Sequence, residues 1–204
     1  MKYQVRKFRS LKMCLKELEP FIRNGEHLQT GKPFKQFGGL RSRELLANWL
    51  ICVAYNFAIN ADRLVFTSDP LGGDGIICDS VAEKTWPTEH VLVPRAHDGG
   101  DEDFEALILR AIAFKQRKGG TSYASGKTLV VFLNTKGKRW FPNKVAKQLP
   151  ALYFGGVWVV GLQRSRADRY VYGVTLLDLS GGNAPTWLVH IGKDFDAWTV
   201  EPIQ

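Results

Sequence analysis

Two carboxylates, Asp74 and Glu89, each open a short apolar run, Asp74-Gly-Ile-Ile-Cys78 and Glu89-His-Val-Leu-Val93, and both runs read as β-strands. Paired antiparallel, such strands bring the two acids together at one edge of a sheet, the arrangement in which a protein holds Mg²⁺ against a phosphodiester. Alternation sets Glu89 on the same face as Val91 and Val93, so its carboxylate sits either at the rim of the core or against a ligand. Asp74 follows Gly72-Gly73 and equally suits closure of a turn through its own side chain, and Glu89 at a strand start equally suits a solvated position.

The elements that must position these acids follow from periodicity. Leu45, Leu46, Trp49, Leu50, Val53 and Phe57 make a broad apolar stripe on a helix from about Ser42 to Phe57, with Ser42 as its N-cap. Leu64-Val-Phe66 is a first strand, the Asp74 run a second, and Trp86-Pro87 is expected to break the chain before the Glu89 strand. Helical spacing returns over Asp101 to Lys118 and stops at Gly119-Gly120. Thr128 to Leu133 is apolar enough for a strand buried on both faces. Pro142 to Leu149 forms a short helix, and Val157 to Leu162, Tyr170 to Leu177 and Thr186 to Ile191 are further strands. Ahead of all this, residues 1 to 24 carry a basic amphipathic helix ending near Pro20, followed by a glycine-rich loop to residue 40. The expected fold class is therefore α/β, a mixed sheet in αβββαβ order flanked by helices on both faces, with additional C-terminal strands. It forms one domain over 1–204, comprising a basic N-terminal helix and loop (1–40), a core (41–134) and a C-terminal sheet extension (135–204).

That order, with acids at Asp74 and Glu89, resembles the PD-(D/E)XK nuclease superfamily, the restriction-endonuclease-like fold, over roughly residues 42 to 133. The resemblance implies a Mg²⁺- or Mn²⁺-dependent deoxyribonuclease. Asp74 and Glu89 would be the metal-binding catalytic acids, the backbone carbonyl of His90 would complete the metal shell, and Glu44 of the first helix would be an additional ligand. The family places a lysine two residues after the second acid, where this chain has Val91. Lys115 on the following helix is the candidate to supply the missing cation, with Lys84 and His90 as weaker ones. Family members often dimerise to cut both strands, which makes a homodimer a candidate assembly, although no heptad stands in the chain.

The rest of the sequence bears on partners. A chain of 204 residues with 28 Lys+Arg against 20 Asp+Glu carries a net charge of +8, which suits a polyanion such as DNA. Lys136, Lys138, Arg139, Trp140 and Lys144 mix cations with an aromatic ring as a nucleic-acid-binding segment would, and a solvated loop with a tucked tryptophan fits the same residues. Arg164, Arg166 and Arg169 add cations near the end of a strand. The Gly120 to Thr128 stretch imitates a phosphate-binding loop but has one residue too many and precedes a strand rather than a helix. His27, His90, His97 and His190 show no zinc-like pairing. The odd cysteines Cys14, Cys52 and Cys78 read as reduced and buried, and no secretory signal or membrane span is visible, so the expected location is cytoplasmic. Two rivals to hydrolysis stand: a catalytically inactive nucleic-acid-binding module on the same fold, and an interaction or inhibitor protein working through Trp158, Trp187 and Trp198.

Overall fold

A computed structural model describes residues 8, 10–25, 28, 38–93, 103–134, 139–166, 168–179 and 181–204. Lys136, Lys138, His27 and His97 lie outside the described residues. The chain folds as a mixed α/β structure around an eight-stranded sheet whose strands neighbour one another in sequence order. The strands are β1 (Leu64–Thr67), β2 (Ile76–Asp79), β3 (Lys84–Val93), β4 (Thr128–Leu133), β5 (Gly156–Arg166), β6 (Arg169–Leu177), β7 (Thr186–Ile191) and β8 (Trp198–Pro202). Five described helices, α1 (Leu11–Arg23), α2 (Ser42–Ala58), α3 (Phe104–Arg117), α4 (Gly120–Ala124) and α5 (Pro142–Gln148), complete it. The pairs β3–β4 and β4–β5 are parallel and every other pair is antiparallel.

Each face of the sheet buries its own apolar cluster. Leu92, Val130, Phe132, Trp158, Val160 and Tyr172 point toward α1 and α2. Val91, Val93, Leu129, Val131, Val157 and Val159 point the other way, toward α3, α4 and α5. β4, at the centre, is buried along its whole length, as a parallel strand covered on both sides must be. α2 is buried nearly all round rather than along one stripe, because it lies under the sheet and against α1, whose Leu11 carbonyl accepts a hydrogen bond from the Trp49 indole at 2.8 Å.

Several boundaries differ from the sequence expectation, each for a local reason. α1 runs through Pro20 to Arg23, since a proline in the last turns forfeits only one intrahelical bond. The N-cap of α2 is Arg41 rather than Ser42, and the Glu44 carboxylate accepts the Arg41 amide at 2.8 Å. β2 starts at Ile76, which leaves Asp74 in the preceding loop. Trp86-Pro87 does not interrupt β3. The Thr88 amide donates to Gly75 on the β2 side, so Pro87 turns its nitrogen toward β4, whose ladder begins only at Thr88, and no bond is lost. Beyond Gly119 the chain forms the short α4.

Cys14, Cys52 and Cys78 are free and buried. Trp158 and Trp187 are buried with ring centroids 6.1 Å apart, and Trp198 packs edge-on against Trp49 at 5.2 Å. Trp158 and Trp187 are thus occupied inside the protein, whereas Trp198 is half-buried. Among the described residues, no helix is long and apolar enough to cross a membrane.

The open edge of the sheet is pinned by Arg63, whose Nε donates to Asp79 Oδ1 at 2.9 Å; the same oxygen accepts the amides of Val81 and Ala82 at 3.0 and 2.8 Å. The Arg63 guanidinium, with those amides, holds the Asp79 carboxyl down at about 2. The folded pKa lies below the unfolded one, so the associated stability is present above about pH 4 and is lost as pH falls toward 2. Asp79→Asn is expected to cost about 1–2 kcal/mol at neutral pH and to remove that acid limb. Urea midpoints measured from pH 7 down to pH 2 check this, and parallel curves for variant and wild type would refute it.

Candidate functional site

Asp74 and Glu89 are brought level by the β2–β3 register: Ile76 opposes Pro87, and two residues further along Asp74 falls beside Glu89. Although it lies outside β2, Asp74 continues the ladder with its side chain. Its Oδ2 accepts the His90 amide at 2.7 Å, in the place a strand carbonyl would take. Its own carbonyl is held by Asn48 of α2, whose Nδ2 donates at 3.1 Å. The Asn48 Oδ1 is therefore the acceptor in its 3.2 Å contact with His90 Nε2, which fixes the proton on that nitrogen. Burial, with the positive charges of Arg43 and Lys115, lowers His90 to about 3, so the imidazole is neutral at physiological pH.

Glu89 faces the opposite side, as the alternation with Val91 and Val93 required. Lys115 reaches it from α3 with Nζ 2.6 Å from Oε1, both side chains being only 12% exposed, and Lys127, just ahead of β4, lies 3.7 Å from Oε2. Burial by itself would raise the Glu89 pKa, but the Lys115 hydrogen bond and the charges of Lys115 and Lys127 outweigh it and hold the carboxylate ionised. The Tyr123 hydroxyl is shielded from solvent and interacts with the Glu89 carboxylate, which it helps to hold ionised. Burial and the Glu89 carboxylate raise its pKa. The Tyr123 ring carries Lys127 Nζ at 4.3 Å from its centroid. At Asp74 burial pushes the carboxyl up and the charge of Glu89 adds to it, against the His90 amide. Glu44 is raised chiefly by burial, with Asp74 contributing. The result is a cluster of acids held near one another, one pinned by lysine and two destabilised as anions. Among the described residues no three His, Cys, Asp or Glu side chains gather closely enough to hold a metal by themselves.

The structure thus joins Asp74, Glu89 and Lys115, with Glu44 within electrostatic range of Asp74. His90 is adjacent through its backbone only; its side chain lies on the α2 face, neutral, and cannot replace the missing cation. Lys84 is exposed at the far start of β3, opposite Asp79, and does not approach Glu89. The basic segment is elsewhere: the Phe141 amide donates to Glu105 and Lys144 lies 4.0 Å from Asp103, both at the N-terminal end of α3. A helix rises about 1.5 Å per residue, so these contacts stand about 15 Å from Lys115. Arg139 and Lys144 are exposed, and Trp140 packs against the α3 side of the core.

Three members of the site escaped the sequence reading. Lys127 joins Glu89 because β4 is parallel to β3 and begins beside Thr88, a pairing that strand lengths do not reveal. Asn48 was visible only as a polar residue inside an apolar helix. Tyr123 sits on α4, which periodicity does not mark. Searches of family models, curated proteins and solved structures find no match to this chain.

Proposed function

We propose that the protein hydrolyses phosphodiester bonds of DNA with the help of a divalent cation. The observation that carries this reading is the Glu89–Lys115 pair beside Asp74, which supplies two carboxylates and a lysine although Val91 occupies the usual lysine position. The run of helix α2, three strands, α3 and β4 supports the same αβββαβ reading. The donor set suits Mg²⁺ or Mn²⁺, since such ions keep several waters and take one or two carboxylates. Asp74 and Glu89, with the His90 carbonyl, would hold the ion, and Glu44 is the reserve acid. When bound, it supplies charge neutralisation at the phosphate and a more acidic water.

The chain's own residues do the positioning. The His90 amide and Asn48 fix Asp74. Lys115, held on Glu89, would supply the ammonium group that stabilises a hydroxide nucleophile. The +8 chain charge draws in the polyanion. Purified protein incubated with supercoiled plasmid and with single-stranded circles is expected to cut in Mg²⁺ or Mn²⁺ and not in EDTA. Asp74→Asn and Glu89→Gln are each expected to reduce cutting at least about 10²-fold. Intact DNA with both ions refutes the proposal.

One observation favours a second reading, a DNA-binding module that does not cut: the Glu89 carboxylate is already paired with two lysines, Lys115 at 2.6 Å and Lys127 at 3.7 Å. In that case DNA is retained in EDTA, unchanged by Asp74→Ala, and no cleavage appears.

A further inference from the structure

We infer that the β5–β6 hairpin end of the C-terminal sheet is a second, separate grip on the DNA backbone, built from Arg164, Arg166 and Arg169. The choice of DNA as occupant rests on the functional reading above. Along the β5–β6 pair, Leu162 opposes Tyr172 but Arg164 opposes Val171, so Gln163 is an extra residue in a bulge. Leu162 and Tyr172 face the α1–α2 core. Unbroken alternation would send Arg164 into that core; the bulge turns it, and Arg166 after it, onto the opposite face. Arg166 then stands directly across from Arg169 at the end of the hairpin.

Like charges directly opposed on a sheet destabilise it, so this arrangement calls for an anion. Among the described residues no carboxylate is ion-paired with any of the three arginines, all exposed. Asp168 at the hairpin turn is engaged by Arg23 at 3.1 Å. The arginines line a groove of about 910 Å³, together with His190 and Lys193, and no described helix covers it. Asp194 and Asp196 rim one side. Two residues further along β6 from Val171, Gly173 lines an adjoining cavity of about 220 Å³ with Arg139 and Trp140, so the surface continues into the basic aromatic segment. A concave cationic groove fits a phosphate chain; a flat anionic bilayer neither enters it nor tolerates its acidic rim. Val157 is level with Glu89 across the parallel strands, which puts Arg164 about 20 Å further along the sheet at about 3.3 Å per residue. The grip is therefore independent of the carboxylates.

The test is the full-length R164A/R166A/R169A variant against K12A/K84A/K147A, which removes the same charge from exposed lysines elsewhere. Binding to a short fluorescent DNA duplex is measured by anisotropy in EDTA over a series of salt concentrations, with thermal melts as the folding control. The arginine variant is expected to weaken binding at least about 30-fold at low salt and to lower the log–log salt slope by about 3, against less than about threefold for the lysine variant. Equal losses in the two variants overturn the inference, as does wild-type binding confined to phosphatidylserine vesicles. Measured without metal, the result is separable from the nuclease reading: a selective arginine effect with no cleavage sinks only the latter, and cleavage with no arginine effect sinks only the grip.

Discussion

Lys115→Met is expected to lower Mg²⁺-dependent DNA cleavage by about 10²- to 10⁴-fold at neutral pH, the range that removal of a positioned acid–base group produces. The same change acts on stability through a different route. Glu89 and Lys115 are both 12% exposed, and removing one partner of a buried pair leaves an uncompensated charge that costs about 3–5 kcal/mol when nothing else answers it. Lys127, 3.7 Å from the other oxygen, answers part of it, so about 1–3 kcal/mol is the expected loss here. Without the Lys115 hydrogen bond, burial dominates at Glu89 and its pKa rises. A carboxyl whose folded pKa stands above its unfolded value destabilises the fold when ionised, so the variant's deficit relative to wild type should shrink as pH falls through the carboxylate range. The double variant E89Q/K115M separates the two roles, because it removes the buried charge with its partner and should regain most of the stability while staying inactive. A K115M protein that cuts at the wild-type rate removes Lys115 from the chemistry, whatever its stability.

The parts of this site that could be read from the chain are those set by short periods. Glu89, Val91 and Val93 share a face because side chains alternate in any strand, and Thr128–Leu133 was readable because a strand covered on both sides is apolar throughout. Lys115 was within reach once the α3 spacing and its placement after β3 were taken together. What stayed hidden is what the tertiary structure decides. The parallel pairing of β4 with β3 brings Lys127 to Glu89, and nothing local announces it. α2 is apolar nearly all round, so no stripe told which of its polar residues faced the acids; the fold selects Asn48. Pro87 reads as a breaker, yet it is harmless where one side of β3 has no neighbour. The basic segment at 139–144 lies near in sequence to β4 but at the far end of α3 from the carboxylates, because the chain leaves β4 at the opposite end of the strand from Lys127.

The other expected large effect is at Gly75, the residue between Asp74 and the start of β2. Its φ of +121° is strained for any L side chain, and a Cβ there would stand 2.4 Å from Asn48 Nδ2, 3.3 Å from Thr88 Oγ1 and 3.4 Å from the Thr67 carbonyl. Backbone strain of this kind costs about 1–3 kcal/mol. Expelling the Asn48 amide breaks its bonds to Asp74 and His90 and adds about 1 kcal/mol or more. Gly75→Ala is therefore expected to lose about 2–4 kcal/mol, roughly 6–12 °C in a melt of a chain this long, and to misplace Asp74 with it. Gly72 is the internal contrast: its φ is +84° but a Cβ there meets nothing within 4 Å, so Gly72→Ala should carry the backbone cost alone, about 1 kcal/mol. The cause can be isolated by combining G75A with Asn48→Ala. If the methyl acts by displacing the amide, the two losses overlap and the double variant is more stable than their sum predicts. Strict additivity would mean that Gly75 acts through its backbone alone and that Asn48 still holds Asp74 in the G75A protein.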